Sequence, residues 1–440
     1  MEILRELEPN FRQRFAELLE RRNQDPQVEQ AAAEILAGVR ARGDAAVAEY
    51  AKKFDRVTLT PAEFAVSAKE IAAAEKAVDA SAKAAIRMAC AQIRDFAQQQ
   101  KRQDWSFSPR PGVRLGERFT PLSRVGAYVP GGTAPLVSTV LHTVTLAKVA
   151  GVKEIVVVTP PGADKKVHPA ILFAAKVAGA TTVYRLGGVY AVGALAYGTQ
   201  TIPRVEKIVG PGNAYVTAAK RQVYGEVALD LVAGPSEILV LADSTANPEF
   251  IAADMLSQAE HGSGREQVFL ITTDAKLVPK VQAALARQAK TLSRLACVQK
   301  VLKAGVFFIV AKNTASAVVL ADQIAPEHLE IMMRSPERVA AKIQAAGAIF
   351  IGHWTPEPVG DFVAGPSHVL PTAGAGRYFS GLTLEHFYRR MSTVSYTEAA
   401  LRREVGAIAK FAELEGLDAH GRSATIRLEP PKRNGKKHIA

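Results

Sequence analysis

The apolar positions change their period along the chain, and that change predicts the architecture. Segments 26–42 and 43–54 place Ala, Val, Ile and Leu at helical spacing, and 71–100 is Ala-rich with Lys, Arg and Gln between. The stretch before Lys101 therefore predicts an outer helical layer. From Lys153 the pattern becomes short apolar runs alternating with amphipathic stretches. EIVVV precedes a Pro-Pro-Gly break and a helix-like HPAILFAAKVAGA. TTVYRLGG, VEKIVGPG, SEILVLAD, REQVFLITT, GVFFIVA and GAIFIG then each read as a short buried strand, with helix-like segments between most of them. Such alternation implies parallel strands covered by helices, hence an α/β architecture, and so many strands imply more than one sheet. After Gly381 the chain returns to helix-like LEHFYRRMS and TEAALRREVGAIAKFAELEG, which predict a small terminal helical domain. No internal repeat of short period is visible.

Composition narrows the classes. A chain of 440 residues can bury a substantial core, and 48% hydrophobic with 22% charged residues is globular. No apolar run is long enough to cross a bilayer, and MEILRELEPNFRQRF lacks the apolar stretch of a secretory signal, so a cytoplasmic protein without a membrane partner is expected. Only Cys90 and Cys297 are present, without a CxxC, so any metal must be held by His, carboxylate or amide ligands. The net charge of +12 is spread thinly apart from the end, where Arg427, Lys432, Arg433, Lys436 and Lys437 oppose Glu429. No basic run is interleaved with aromatics, so nucleic acid is not an expected partner, and the tail reads as a solvated terminus.

Four places can carry chemistry. In 247–261 the helix-like stretch ends in SQAEHG, and Gln258 and His261, three apart, share a face that could reach one ligand. A His in a last helical turn equally serves the helix dipole and faces water. Glu327 and His328 in IAPEHLEI join a carboxylate to an imidazole, a pair able to act in successive proton transfers or simply to serve structure. VGDFVAGPSHVLPT offers Asp361 and His368; a loop Asp is usually a turn residue, while Asp361 with two imidazoles would suit zinc. EGLDAHGRSATI presents Glu415 and His420, where capping or turn roles are the default. No GxGxxG follows a strand, so the usual dinucleotide fingerprint is absent. The glycine-rich strand ends GAYVPGG, LGGVYAVG and VGPGNAY could bring backbone amides to phosphates or serve tight turns.

Taken in order, RVGAYVPGG from Arg124, VGPGNAYV from Val209, AGPSE from Ala233, LSQAEHG from Leu256, APEHLE from Ala325, GPSHVLPT from Gly365 and EGLDAH from Glu415 closely resemble histidinol dehydrogenases. The resemblance spans nearly the whole chain, including the early VRARGDAAVAEYAKKFD. It implies two Rossmann-like parallel-sheet domains lacking the usual fingerprint, with small helical segments at both ends. The expected organisation is an N-terminal helical segment over 1–25 and a first α/β domain over 26–127 and 236–381, carrying zinc and the catalytic residues. A second α/β domain over 128–235 would serve NAD, and 382–440 would form a small dimerisation domain.

By resemblance, Gln258, His261, Asp361 and His420 would be zinc ligands, with the substrate completing the metal shell. Ser236, Glu415, His328 and the four ligands would contact substrate, and Tyr128 and Asn213 would contact NAD. Zinc would chiefly orient the alcohol carbon, so positioning would contribute more than Lewis acidity. The implied reaction is the oxidation of L-histidinol through its aldehyde to L-histidine, an amino-acid biosynthetic step using two NAD molecules in succession. His328 would take the alcohol proton, and Glu327 would activate water for attack on the bound aldehyde. The implied active unit is a homodimer whose sites each combine the main body of one chain with Glu415 and His420 of the other.

The sequence departs from the family pattern in two places. GGVY puts Tyr190 where GGAQ is usual, so Tyr190 is expected to border the NAD site with its ring against the cofactor. His142, with Thr145 and Leu146, replaces a more typical apolar stretch ending in Pro. Two other readings stand beside the main one: a zinc dehydrogenase acting on another primary alcohol, and a non-catalytic scaffold, which would be expected to lose ligands that are retained here.

Overall fold

Strand β9, Glu237–Ala242, shows how the chain builds its larger sheet. Its sequence EILVLA is buried throughout; Ile238, Val240 and Ala242 join one hydrophobic core, and Leu239 and Leu241 join another on the opposite face. Successive side chains point to opposite faces of a strand, so only a continuous apolar run can serve two cores at once. In the computed structural model, which describes residues 1–20, 25–131 and 135–430, the strands in chain order are β1 (Glu2–Arg5), β2 (Trp105–Arg110), β3 (Val113–Pro121), β4 (Arg124–Tyr128), β5 (Glu154–Val158), β6 (Thr182–Tyr184), β7 (Lys207–Val209), β8 (Ala228–Leu229), β9 (Glu237–Ala242), β10 (Gln267–Thr272), β11 (Val306–Val310), β12 (His328–Met332), β13 (Ala348–Ile351) and β14 (Tyr388–Tyr396). The basic residues beyond Pro430 and the final glycine of GAYVPGG lie outside the described residues.

Two sheets are parallel throughout. One has six strands in the order β1-β11-β10-β9-β12-β13, and the other five in the order β6-β5-β4-β7-β8. In each, the first central strand is flanked on one side by the next two strands and on the other by the last two, the doubly wound arrangement that the family resemblance implies. Both sheets lie in one compact unit, Met1–Lys101 with Leu122–Phe387.

The helices of the early chain pack with the five-stranded sheet. Ala32, Leu36 and Val39 of helix Pro26–Arg42 share a core with Val156 and Val158 of β5 and with Val192 and Leu195 of helix Gly188–Tyr197. Helix Ala80–Gln99 packs on helices Val137–Ala150 and Pro169–Ala178. The packing thus groups these helices, and β4 with them, differently from a division joining 26–127 to 236–381. Helical periodicity announces that a stripe will be buried, without naming the surface that buries it. The chain also starts with a strand where a helical segment was expected: β1 pairs with β11 ahead of helix Phe11–Leu19. Four residues are too few to show a period.

The second unit comprises Arg102–Pro121 and the chain from Tyr388 onward. It holds the antiparallel sheet β14-β3-β2 and helices Glu398–Glu415 and Asp418–Thr425. This corrects the helical reading of LEHFYRRMS. Only Leu384–Phe387 makes a short 3-10 turn, and the remainder enters β14, whose nine residues pair with β3 from Tyr388↔Pro121 to Tyr396↔Val113. A partner strand so distant in sequence supplies the pairing that local propensity does not announce.

Candidate active site

The amino edge of the six-stranded sheet carries the acid–base pair. Strands β9 and β12 are neighbours, with His328 opposite Ile238, so Ser236 and Glu237 at the start of one meet Glu327 and His328 at the start of the other. Glu327 Oε2 accepts hydrogen bonds from Ser236 Oγ at 2.8 Å and from the Glu237 amide at 2.9 Å. Burial pushes the Glu327 carboxyl up to about 7, against the opposing pull of His328 and of these two donors. His328 Nδ1 lies 2.9 Å from the Glu237 carbonyl oxygen, which can only accept; Nδ1 therefore carries hydrogen and Nε2 is the nitrogen left for chemistry. Nε2 stands 3.5 Å from Glu357 Oε1 and 3.7 Å from Asp361 Oδ1. Burial disfavours the charged ring, but Glu327, Asp361 and Glu357 outweigh it and push His328 up to about 10. Asp361, though buried, is held well below the usual carboxylate range by the imidazoles of His328 and His368.

A buried carboxylate cluster backs this pair. Glu357 and Asp361 lie four apart on helix Glu357–Phe362 and so share a face, and Glu330 lies two residues beyond His328 on β12. Glu330 Oε1 accepts the Glu357 amide at 2.6 Å, and Ser257 Oγ donates to Glu357 Oε2 at 3.2 Å. Burial together with Asp254 pushes Glu330 well above the carboxylate range, and burial raises Glu357 to about 8 and Asp254 to about 6. Glu330, Glu357 and Asp254 were missed by sequence reasoning; the four-residue spacing of Glu357 and Asp361 was the one local signal.

Several observations bear on a metal. Among the described residues, ligand atoms of His328, Glu357 and Asp361 converge within 4.8 Å. Gln258, at the end of helix Pro248–Ala259, is fully buried with neither amide atom hydrogen-bonded within the protein, as suits a side chain that serves a ligand. His261 follows in the next turn, exposed along one side, with Asp361 and His328 among the groups acting on its charge. A buried amide, an imidazole and a carboxylate form a donor set that fits zinc. Glu415 and His420 belong to the second unit, where both are exposed, on helices Glu398–Glu415 and Asp418–Thr425.

The carboxyl edge of the five-stranded sheet holds the other expected residues. Tyr128 ends β4, and its hydroxyl accepts from the Gly188 amide at 3.1 Å. A Cβ on Gly188, at φ +58°, would meet no atom within 4 Å, so the loop borders open space. Asn213 caps helix Ala214–Gln222, its Oδ1 accepting from the amides of Tyr215 and Val216. Gly210, at φ +107°, lies so close to β4 that a Cβ would overlap the Tyr128 carbonyl oxygen; Lys220 Nζ donates to its carbonyl at 2.8 Å and Asp230 Oδ2 accepts its amide at 2.7 Å. Tyr190 sits differently from the expected ring-to-cofactor packing. Its ring is 1% exposed inside the core, and its hydroxyl donates to Asp55 and accepts from the Gly187 amide.

One helix links the two edges. Thr139 and His142, in the first two turns of helix Val137–Ala150 beyond the carboxyl end of β4, reach His368 and the Asp361 main chain. Ligands of doubly wound sheets usually lie at carboxyl ends, where the strand order reverses. On the six-stranded sheet Asp243 occupies that place, accepting from Arg334 and Thr245. The reactive groups stand instead at its amino edge, where the five-stranded sheet presents a carboxyl edge.

A helix leaving the carboxyl edge of one parallel sheet thus bonds to the loop that carries the buried imidazole–carboxylate cluster at the amino edge of the other, an arrangement with an enzyme's acid–base equipment. The comparisons agree. The family model for histidinol dehydrogenase matches residues 19–428. The chain is 47% identical over 396 residues to a histidinol dehydrogenase of Geobacillus kaustophilus, covering 90% of this chain and 93% of that one. It is 44% identical over 432 residues to one of Geobacter metallireducens, covering 98% of each. A crystal structure of histidinol dehydrogenase from Elizabethkingia anophelis matches with TM-score 0.91 and 36% identity, covering 97% of this chain and 98% of that one. The chain belongs to the histidinol dehydrogenase family.

Proposed function

We propose that the chain oxidises L-histidinol through L-histidinaldehyde to L-histidine at a single site, with zinc and NAD. The observation that carries this is the orientation of His328: Nδ1 is spent on the Glu237 carbonyl, Nε2 faces Asp361 and Glu357, and Glu327 is held beside it by two donors. Gln258, His261 and Asp361 would hold zinc, joined by His420. There zinc would supply a positive charge that orients the substrate and offsets the Asp361 carboxylate beside His328. Tyr128, Gly188 and Asn213 would hold NAD at the carboxyl edge of the five-stranded sheet, where it would supply the hydride acceptor for each oxidation.

His328 Nε2 takes the alcohol proton in the first oxidation and assists again when the aldehyde hydrate is oxidised. Glu327 in its ionised form removes a proton from the water that attacks the aldehyde. Ser236 contributes by fixing Glu327 and would contact substrate. Completing both oxidations at one site keeps the reactive aldehyde from escaping.

A homodimer with shared sites is part of the proposal. Glu415 ends a helix on which Phe411 and Leu414 are 65% and 70% exposed, an apolar surface a second copy would cover. No helix among the described residues is long and apolar enough to cross a membrane, which fits a cytoplasmic biosynthetic enzyme. The test is NAD reduction with L-histidinol, with and without chelator. Two NADH per histidinol and loss of activity on chelation support the proposal; activity confined to an unrelated alcohol overturns it.

A further inference from the structure

His142 is fully buried on helix Val137–Ala150, and its Nε2 lies 3.1 Å from the main-chain oxygen of Asp361. His368 Nδ1 lies 3.1 Å from that same oxygen, and the two rings are 4.5 Å apart between centroids. A carbonyl oxygen only accepts, so both nitrogens carry hydrogen and the two imidazoles fill its two lone pairs. Neutral His368 then has Nε2 free to accept, and the Thr139 hydroxyl, 3.1 Å away on the same helix as His142, donates to it. His142 Nδ1, by contrast, is buried without a partner. An apolar side chain would fill this place with no unmet polar atom, so the imidazole calls for a compensating role.

The role is visible at Asp361. It occupies the last turn of helix Glu357–Phe362, where main-chain carbonyls lack partners within the helix. Two imidazoles supply the missing donors, one from the turn beyond the helix and one from the element that leaves the carboxyl edge of the five-stranded sheet. We propose that His142 is a positioning residue that, together with His368, clamps the main chain of Asp361 and thereby sets how tightly this chain holds its metal ion. The inference rests on the reading of Asp361 as a zinc ligand.

The experiment is zinc affinity by chelator competition on the full chain, comparing the wild type with His142→Leu, His142→Gln and Asp361→Ala. His142→Leu removes the donor and should weaken zinc by about five- to tenfold, the worth of one hydrogen bond. His142→Gln carries an amide N–H at comparable reach and should return affinity to within about twofold of the wild type. His142→Met, which fills the space without a donor, takes the place of the Leu variant should that variant not fold. Unchanged affinity in the Leu or Met variant, while Asp361→Ala loses zinc, overturns the clamp alone. Equal weakening in the Gln and the apolar variants overturns it as well, because space-filling rather than donation would then be what matters. Wild-type affinity in Asp361→Ala overturns the ligand reading and the clamp with it.

Discussion

Replacing Glu327 by Gln should separate the two oxidations. The amide keeps the side chain's shape, and its oxygen can accept the bonds that Ser236 Oγ and the Glu237 amide now make to Oε2 at 2.8 and 2.9 Å. What is lost is the charge and the capacity to take a proton. A positioned general base contributes about 10²–10⁴-fold, so oxidation of the aldehyde should slow by that factor, about 3–5 kcal/mol of barrier. The first oxidation consumes no water and should stay within about tenfold of the wild type. The pH dependence follows from the same group. Burial places the Glu327 carboxyl at about 7, so its base form dominates above that pH. The wild-type second step should lose about tenfold per pH unit below it, and Glu327→Gln should lack this limb. Single-turnover NADH formation, started from histidinol and separately from supplied histidinaldehyde, measures each step. Equal loss in both steps, or an unchanged acidic limb in the variant, would refute the assignment.

Three further outcomes follow from specific contacts. Lys220→Met leaves the fully buried Asp230 without the ammonium now 2.5 Å away, so urea unfolding should show a loss of about 3–5 kcal/mol, partly recovered by adding Asp230→Asn; additive losses would count against a coupled pair. Tyr190→Phe removes the hydroxyl that joins Asp55 to the Gly187 amide and should weaken NAD binding by about five- to tenfold with zinc content unchanged; altered zinc with normal NAD binding would place Tyr190 elsewhere. Mixing inactive His328→Asn and His420→Asn chains should restore about a quarter of wild-type activity if sites are shared across a twofold axis, because half the dimers are mixed and each carries one intact site. No recovery after verified subunit exchange would exclude shared sites.

The central strands were legible because a parallel strand covered on both faces must be apolar at every position, and SEILVLAD or REQVFLITT shows this locally. The acid–base pair was legible as adjacent residues, Glu327 and His328, and the resemblance named the remaining candidates. What the sequence could not settle was which separate pieces share a surface. The stripe Ala32, Leu36 and Val39 declared a buried face, and only packing assigned it to the five-stranded sheet. Strand β14 read as helix because its edges are defined by β3, a partner far away in sequence. His142 and Asp361, 219 residues apart, form one hydrogen bond, and Asp254, Glu330 and Glu357 become one carboxylate cluster through the crossing of two helices and a strand. By itself the sequence determined the central parallel strands, most of the helices and the adjacent acid–base pair, because periodicity and motif chemistry act over a few residues. The tertiary structure decided where those side chains meet, their protonation and the edge at which they react, because burial and Coulomb interactions depend on distances in space that the order of residues does not encode.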